Sequence, residues 1–397
     1  MAQAYGDNFD DERICPITSL TADTHVLELW HGPTSAFKDM ALQCLPRFFS
    51  ASAAQLREQG KLDHDFLILV ATSGDTGKAA LEGFRDVDGV SIGVMYPDGG
   101  VSDIQFKQMA TQRGRNVQVW GVRGNFDDCQ TGAKNVFGDE AFAKKLQDEH
   151  RIALSSANSI NWGRLMPQIV YYVSAYAQLA ADGKLNLGDE LDVCVPTGNF
   201  GNILAAYIAK KMGLPVNKFI CASNRNNVLT DFFKKGGEYN RNRDFFTTTS
   251  PSMDILISSN LERLLFFASD FNDKLVAELM NKLNTEGSYK VAEDVFAKIE
   301  AEFDAGCCDD AQTADTIRRT FEREGYLLDT HTAVAVKVYE DYRARTGDET
   351  PTVIASTASP FKFCRSVIEA LGGTLENDDV TQLEVLSQLT GVPAPAP

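Results

Sequence analysis

FLILVATSGDTGKAALEGF, residues 66–84, decides the fold. Its first five residues are an unbroken apolar run, long enough for a buried strand and too short for a helix. A polar, glycine-bearing loop follows at once, and residues 78–84 then take helical spacing. A strand that feeds a helix through a tight loop is the first half of a βα unit, so the expected class is α/β, with mostly parallel sheets flanked by helices. The same alternation continues outward. Residues 91–96 form the next strand, broken by Pro97, Gly99 and Gly100, with a helix over 101–112, a third strand over 117–122 and a helix from about Asp127. Leu165, Ile169, Tyr172 and Tyr176 mark one face of a long helix over 161–180, widened by Met166, Pro167 and Val170. A strand over 191–195 leads into PTGNFGN (196–202) and a helix over 203–212, stopped by Gly213 and Pro215. One more strand covers 219–222, residues 236–252 read as a surface loop, and helical patterns dominate 253–346. A last strand over 352–355 runs into STASPFKF (356–363) and a helix to Ala370.

The chain has 397 residues, more than one hydrophobic core usually organises, which points to two domains. Hydrophobic residues at 44% against 23% charged exclude disorder as the main state. The net charge of −17 repels phosphate backbones and anionic lipid, so neither nucleic acid nor membrane is an expected partner. An anionic ligand therefore needs a local pocket built against the overall field. The eight cysteines show no CxxC spacing and mostly lie in apolar stretches, as reduced thiols of a cytoplasmic protein do; the adjacent Cys307 and Cys308 are read as functionless. No metal-ligand cluster is visible. The start MAQAYGDNFDDERI has neither the basic nor the apolar part of a leader, and no run approaches a membrane span.

Three loops carry the chemistry. ATSGDTGKAA (71–80) sits at a strand end, where Ser73, Gly74, Thr76 and Gly77 can offer hydroxyls and backbone N–H groups to an anion. It is no nucleotide loop: Thr72 stands where a P-loop has glycine, and Ala79 where it has Ser or Thr. In PTGNFGN two glycines let the backbone wrap a single phosphate, with N–H groups from Gly198 to Asn202 pointing at it; the dinucleotide fingerprint is absent. HGPTSAFKDMAL (31–42) sets Lys38 between Phe37 and an apolar run led by Met40. A desolvated lysine is a nucleophilic amine, able to form a Schiff base with an aldehyde. An aldehyde cofactor bearing one phosphate is pyridoxal 5'-phosphate, and Lys38 with the PTGNFGN cradle supplies both of its attachments. The hydroxyls of Ser356 and Thr357, at the end of the last strand, suit an unprotonated pyridine nitrogen. Lys78 and Lys362 are lesser rivals for the Schiff base, since both sit just inside helix starts.

Six stretches, ELWHGPTSAFKDMAL, ATSGDTGKAALEGF, SSANSINWGRLMPQIVYY, VPTGNFGNILAAYIAKKMGLP, SPSMDILISSNLERL and STASPFKF, together resemble the threonine synthases, pyridoxal phosphate enzymes of the tryptophan synthase β-like, fold type II group. The resemblance implies that Lys38 is the Schiff-base lysine, that Gly198, Asn199, Phe200, Gly201 and Asn202 hold the cofactor phosphate, and that Thr357 faces the pyridine nitrogen with Asp75 near the ring. It implies conversion of O-phospho-L-homoserine and water into L-threonine and phosphate, with Lys38 moving the protons. Ser73, Thr76, Ser155, Asn158, Asn161 and Arg164 are then the candidates for substrate. His31 is expected to orient the Lys38 loop, and His331 either caps a helix or faces the cleft. The group's architecture implies a larger cofactor-binding domain from residues 1–65 and 176–397, including the Lys38 loop. It implies a smaller one over 66–175, with a flexible tail over 392–397, in a monomer or homodimer. Threonine synthases of this type usually carry a longer segment before ELWHGP than the roughly 27 residues present, so a truncated or naturally short form is expected. The alternatives are another fold type II lyase such as a serine/threonine dehydratase, a nucleotide-binding regulator, or a catalytically silent scaffold.

Overall fold

A computed structural model describes residues 2–72, 74–101, 103–124, 126–159, 161–378 and 380–395, without the side chains of 103, 126 and 127. Its strands are β1 (Ile17–Ser19), β2 (Thr24–Glu28), β3 (Asp65–Ala71), β4 (Val90–Pro97), β5 (Val117–Val122), β6 (Ile152–Ser155), β7 (Leu191–Pro196), β8 (Val216–Ser223), β9 (Glu238–Asn240), β10 (Ser288–Lys290), β11 (Phe303–Cys307) and β12 (Thr352–Ser356). The chain divides into two compact units, residues 1–14 with 30–167 and residues 15–29 with 168–397.

The smaller unit holds a parallel four-stranded sheet in the order β5-β4-β3-β6. Successive side chains of a strand point to opposite faces, and β3 spends both faces on packing. Ile68 and Val70 join Ala79, Leu81 and Phe84 of the helix Asp75–Phe84, together with Leu42 and Leu45. Leu69 and Ala71 meet Cys129 and Ala133 on the other side. This is why the strand reads as a continuous apolar run. Leu42 and Leu45 sit in that core, so the Lys38 segment belongs to the smaller unit, whereas the expected boundaries place it in the larger one. Gly83 fixes the contact: a Cβ there would lie 1.9 Å from the Leu42 carbonyl oxygen.

The larger unit has a six-stranded sheet, β1-β2-β12-β7-β8-β11, parallel apart from the β1/β2 pair. Cys194, Ile220 and Ile354 bury one face against Ala333, Val334 and Val338 of the helix Thr330–Thr346. β9 and β10 form a separate antiparallel pair, so part of the expected 236–252 surface loop is strand, with Tyr239 stacked on Tyr289 at 5.3 Å. Strands β1, β2, β6 and β11 are three to five residues long and carried no sequence signal of their own. The first loop-borne helix begins at Asp75 and the second at Gly201, each earlier than apolar spacing indicated, because their first turns are made of loop-like glycines and polar residues. Seven cysteines are buried, Cys307 is exposed, and none is bridged. Of the tail, residues 396–397 lie outside the described residues. Among the described residues no helix is long and apolar enough to cross a membrane.

Candidate active site

Lys38 opens the short helix Lys38–Leu42 of the smaller unit. The preceding loop winds around Asp39, whose carboxylate accepts the Thr34 N–H at 2.8 Å and the Thr34 hydroxyl at 2.6 Å. Gly32 is required there, since a Cβ would sit 2.6 Å from Asp39 Cβ. Asp39 thus ties its own loop together. The Lys38 side chain, 11% exposed, places Nζ 4.7 Å from the centre of the Phe37 ring and 3.9 Å from Asp75 Oδ2. His31 stacks on Trp30 at 4.2 Å and binds Asp10 through Nδ1 at 2.5 Å, which ties this loop to the N-terminal segment.

The SGDTG loop differs from its sequence reading in one respect. The Thr72 hydroxyl accepts the N–H groups of Gly74 (3.0 Å) and Gly77 (2.9 Å), so those two donors serve the helix start and not an anion. Gly74 has φ 136°, and a Cβ on it would overlap Gln105 at 2.3 Å. The same Gln105 donates to Asp75 Oδ1 at 3.2 Å and holds that carboxylate toward Lys38. Thr76 is half-buried. Ser73 lies outside the described residues. Lys78 is committed elsewhere, to Gln112 at 2.5 Å and Glu82 at 3.4 Å, with burial lowering its pKa. Lys362 is buried in the turn Pro360–Phe363.

Ser155 ends β6 opposite Ile68 of β3, so the loops after these two strands leave the same sheet edge side by side. In the second loop Asn161 donates to the Ser156 carbonyl at 3.2 Å and accepts the Gly163 N–H at 2.9 Å, a loop-building role. Asn158 keeps its Oδ1 buried without a partner among the described residues. Arg164 is 5% exposed and sends Nη1 to the Ala157 carbonyl at 2.5 Å. Burial pulls its pKa down to about 10. It is an internal cation at the loop, not a solvated helix arginine.

In the larger unit β7 and β12 are parallel neighbours with Ile354 opposite Cys194, so PTGNFGN and Thr357 emerge from adjacent strand ends. The cradle is held by its carbonyls. Gly198 O accepts the Ser258 hydroxyl at 2.7 Å, and Asn199 O accepts the Asn260 N–H at 3.1 Å and Nδ2 at 2.9 Å. Phe200 takes a left-handed φ of 63°, compensated by a fully buried ring 5.9 Å from Phe303. Among the described residues none accepts from the backbone N–H groups of Gly198 to Asn202. Asn202 Oδ1 receives the Tyr172 hydroxyl, and its Nδ2 is buried with no partner among the described residues. Tyr172, Ser258 and Asn260 were not foreseen. SPSMDILISSN stands out as a motif, but nothing in its spacing says that it backs another loop.

A family model described as pyridoxal-phosphate dependent enzyme matches residues 20–357, which defines the class. A second model, of the threonine synthase C-terminal region, matches residues 332–393. "Threonine synthase-like 1" of Homo sapiens is 43% identical over 98% of this chain and 52% of its own length. The chain therefore spans about half the length of that relative. Threonine synthase of Pseudomonas aeruginosa is 41% identical over 93% of this chain and 74% of its own. A crystal structure of PLP-bound threonine synthase from Brucella melitensis superposes with a TM-score of 0.84 at 40% identity, covering 97% of this chain and 78% of the other. The chain belongs to the threonine synthase family.

The residues present fit that family's cofactor. A phosphate needs several unspent donors, and the cradle N–H groups with Asn202 Nδ2 are such a set. An aldehyde needs an amine kept from water, which Lys38 provides.

Proposed function

We propose that this chain is a threonine synthase in activity, converting O-phospho-L-homoserine and water into L-threonine and phosphate with pyridoxal 5'-phosphate held by Lys38, Asp75, Gly198 to Asn202 and Thr357. The observation that carries the choice of substrate is Arg164. It is a buried guanidinium held against the loop after β6, in the same unit as Lys38, and that loop's Asn158 keeps a buried oxygen without a partner among the described residues. A dehydratase acting on free serine or threonine has no use for that additional buried cation.

When bound, the cofactor supplies an electron-withdrawing ring that stabilises negative charge next to the substrate's amine. The protein's share is positioning and proton traffic. Lys38 would hold the cofactor through its aldehyde, and its Nζ would serve as the base for the substrate's α-proton and as the shuttle for the protons that follow. Asp75, steadied by Gln105, keeps Nζ aimed. Arg164, with Thr76, Ser155, Asn158 and Asn161, orients the substrate phosphate so that it departs from the γ-carbon. Thr357, a neutral hydroxyl at the end of β12, would hold the pyridine nitrogen without protonating it.

The test is phosphate release from O-phospho-L-homoserine by the cofactor-loaded protein, with Lys38→Ala beside it. Stoichiometric threonine from the wild type and none from the variant is the expected result. Ammonia and a keto acid instead of threonine would move the chain to the lyase alternative.

A further inference from the structure

We propose that Asp329 and His331 are positioning residues that clamp the phosphate cradle from behind, and that they set the protein's preference for a phosphorylated cofactor over its unphosphorylated form. The inference rests on the cradle assignment above. Asp329 caps the helix Thr330–Thr346, accepting the His331 N–H at 2.8 Å and the Thr332 N–H at 3.3 Å. Its Oδ1 also lies 3.1 Å from His331 Nδ1. His331 is 2% exposed, with its ring 4.8 Å from that of Phe363. Its other nitrogen, Nε2, accepts the backbone N–H of Ser252 at 3.1 Å. An imidazole nitrogen that accepts must carry its lone pair, so the proton sits on Nδ1 and is donated to Asp329. Both ring nitrogens are thereby used, one to anchor and one to hold.

What is held lies against the cradle. The Ser252 carbonyl is so close to Gly198 that a Cβ on the glycine would stand 2.8 Å from it. The strap that begins at Ser252 ends at Ser258 and Asn260, whose donors fix the carbonyls of Gly198 and Asn199. Fixing carbonyls on one side turns the N–H groups to the other, and that is the geometry an anion requires. The cap also reaches the neighbouring strand end: the Thr332 hydroxyl binds Asp329 and lies 3.0 Å from Ser356 Oγ, next to Thr357. Loosening Ser252 is therefore expected to blur the phosphate site and leave the amine site of the smaller unit unchanged.

Two variants isolate the contact. His331→Asn can keep the bond to Asp329 but cannot reach Ser252; His331→Gln presents an acceptor near the Nε2 position. Apoprotein is titrated with pyridoxal 5'-phosphate and, separately, with pyridoxal, and each is followed by its visible Schiff-base absorbance. For His331→Asn the affinity for the phosphorylated form should fall about tenfold, about 1.4 kcal/mol, with pyridoxal unchanged and His331→Gln close to wild type. Equal losses for both ligands, or a wild-type ratio in His331→Asn, would overturn the clamp while leaving the cofactor assignment standing. Failure of the wild type to bind either ligand would instead remove the cofactor reading, and the clamp with it.

Discussion

Tyr172 donates its buried hydroxyl to Asn202 Oδ1, and that bond decides which way the Asn202 amide points. The oxygen is engaged, so the Nδ2 group is the end left for a ligand. Tyr172→Phe removes the orienting donor without changing the volume of the ring. An amide free to turn presents its oxygen to a phosphate half of the time, and the bond lost is of ordinary strength. Cofactor affinity should fall by about 5- to 10-fold, roughly 1 kcal/mol, with the position of the visible absorbance unchanged, as an apoprotein titration will show.

Gly83 is the point at which the helix carrying the SGDTG loop touches the segment carrying Lys38. A methyl group there collides with a backbone carbonyl, which cannot swing aside as a side chain does. Gly83→Ala should cost about 1–3 kcal/mol in unfolding free energy. It should also weaken Schiff-base formation more than binding of inorganic phosphate by the cradle, since only the smaller unit is disturbed. Thermal melts and absorbance titrations measure the two effects separately.

Arg164→Gln removes the buried charge and shortens the reach to the Ala157 carbonyl. If the guanidinium binds the substrate phosphate, kcat/KM for O-phospho-L-homoserine should drop by about 100-fold or more, roughly 2.7 kcal/mol, while the visible absorbance stays. A loss confined to thermal stability would limit Arg164 to building its loop.

Asp192, near the start of β7, brings a pH dependence of its own. It is buried there, accepting from Asn217 Nδ2 and the Lys218 N–H, both at 2.9 Å. Burial, then the nearby Asp348 carboxylate, raises its pKa from 3.8 to about 7. Burial also acts against ionised Asp348, but hydrogen bonds from Thr350 and Tyr342 outweigh it and keep that group below the usual value. The folded protein thus holds a proton that the unfolded chain releases near pH 3.8. Stability should fall as pH rises from about 4 to about 7 and level off above that. Asp192→Asn cannot ionise, so its melting temperature should lack this decline and exceed that of the wild type at pH 8; a parallel decline in both proteins would locate the titration elsewhere.

The sequence was most legible where one residue type has one use. The apolar run of β3 was readable because burial on both faces leaves little choice, and Lys38 stands beside the Phe37 ring as its place in the sequence suggested. Short strands such as β6 and β11 were not legible, because four or five residues acquire their meaning only from the neighbour they pair with. Nor was the placement of Lys38 in the smaller unit, which depends on Gly83 meeting Leu42 across about 40 positions of sequence. Gly74 and Gly77 read as anion donors but give their N–H groups to the Thr72 hydroxyl, since a backbone donor in either role looks the same in one dimension.

The place of β12 in the sheet has a consequence for synthesis. β12 lies between β2 and β7, so residues made near the start and residues made in the last eighth of the chain have to meet in the middle of one sheet. On the ribosome, β1 and β2 emerge early as a hairpin with no partner in their own sheet. β7, β8 and β11 can associate before β12 exists, but they cannot reach the hairpin without it. Thr357 follows directly on that same last strand. The nascent larger unit therefore cannot complete its sheet, or set Thr357 at the end of β12, until synthesis is nearly finished, and a message cut short before residue 352 yields a hairpin and a three-stranded remnant, each with an open edge prone to pairing with other chains.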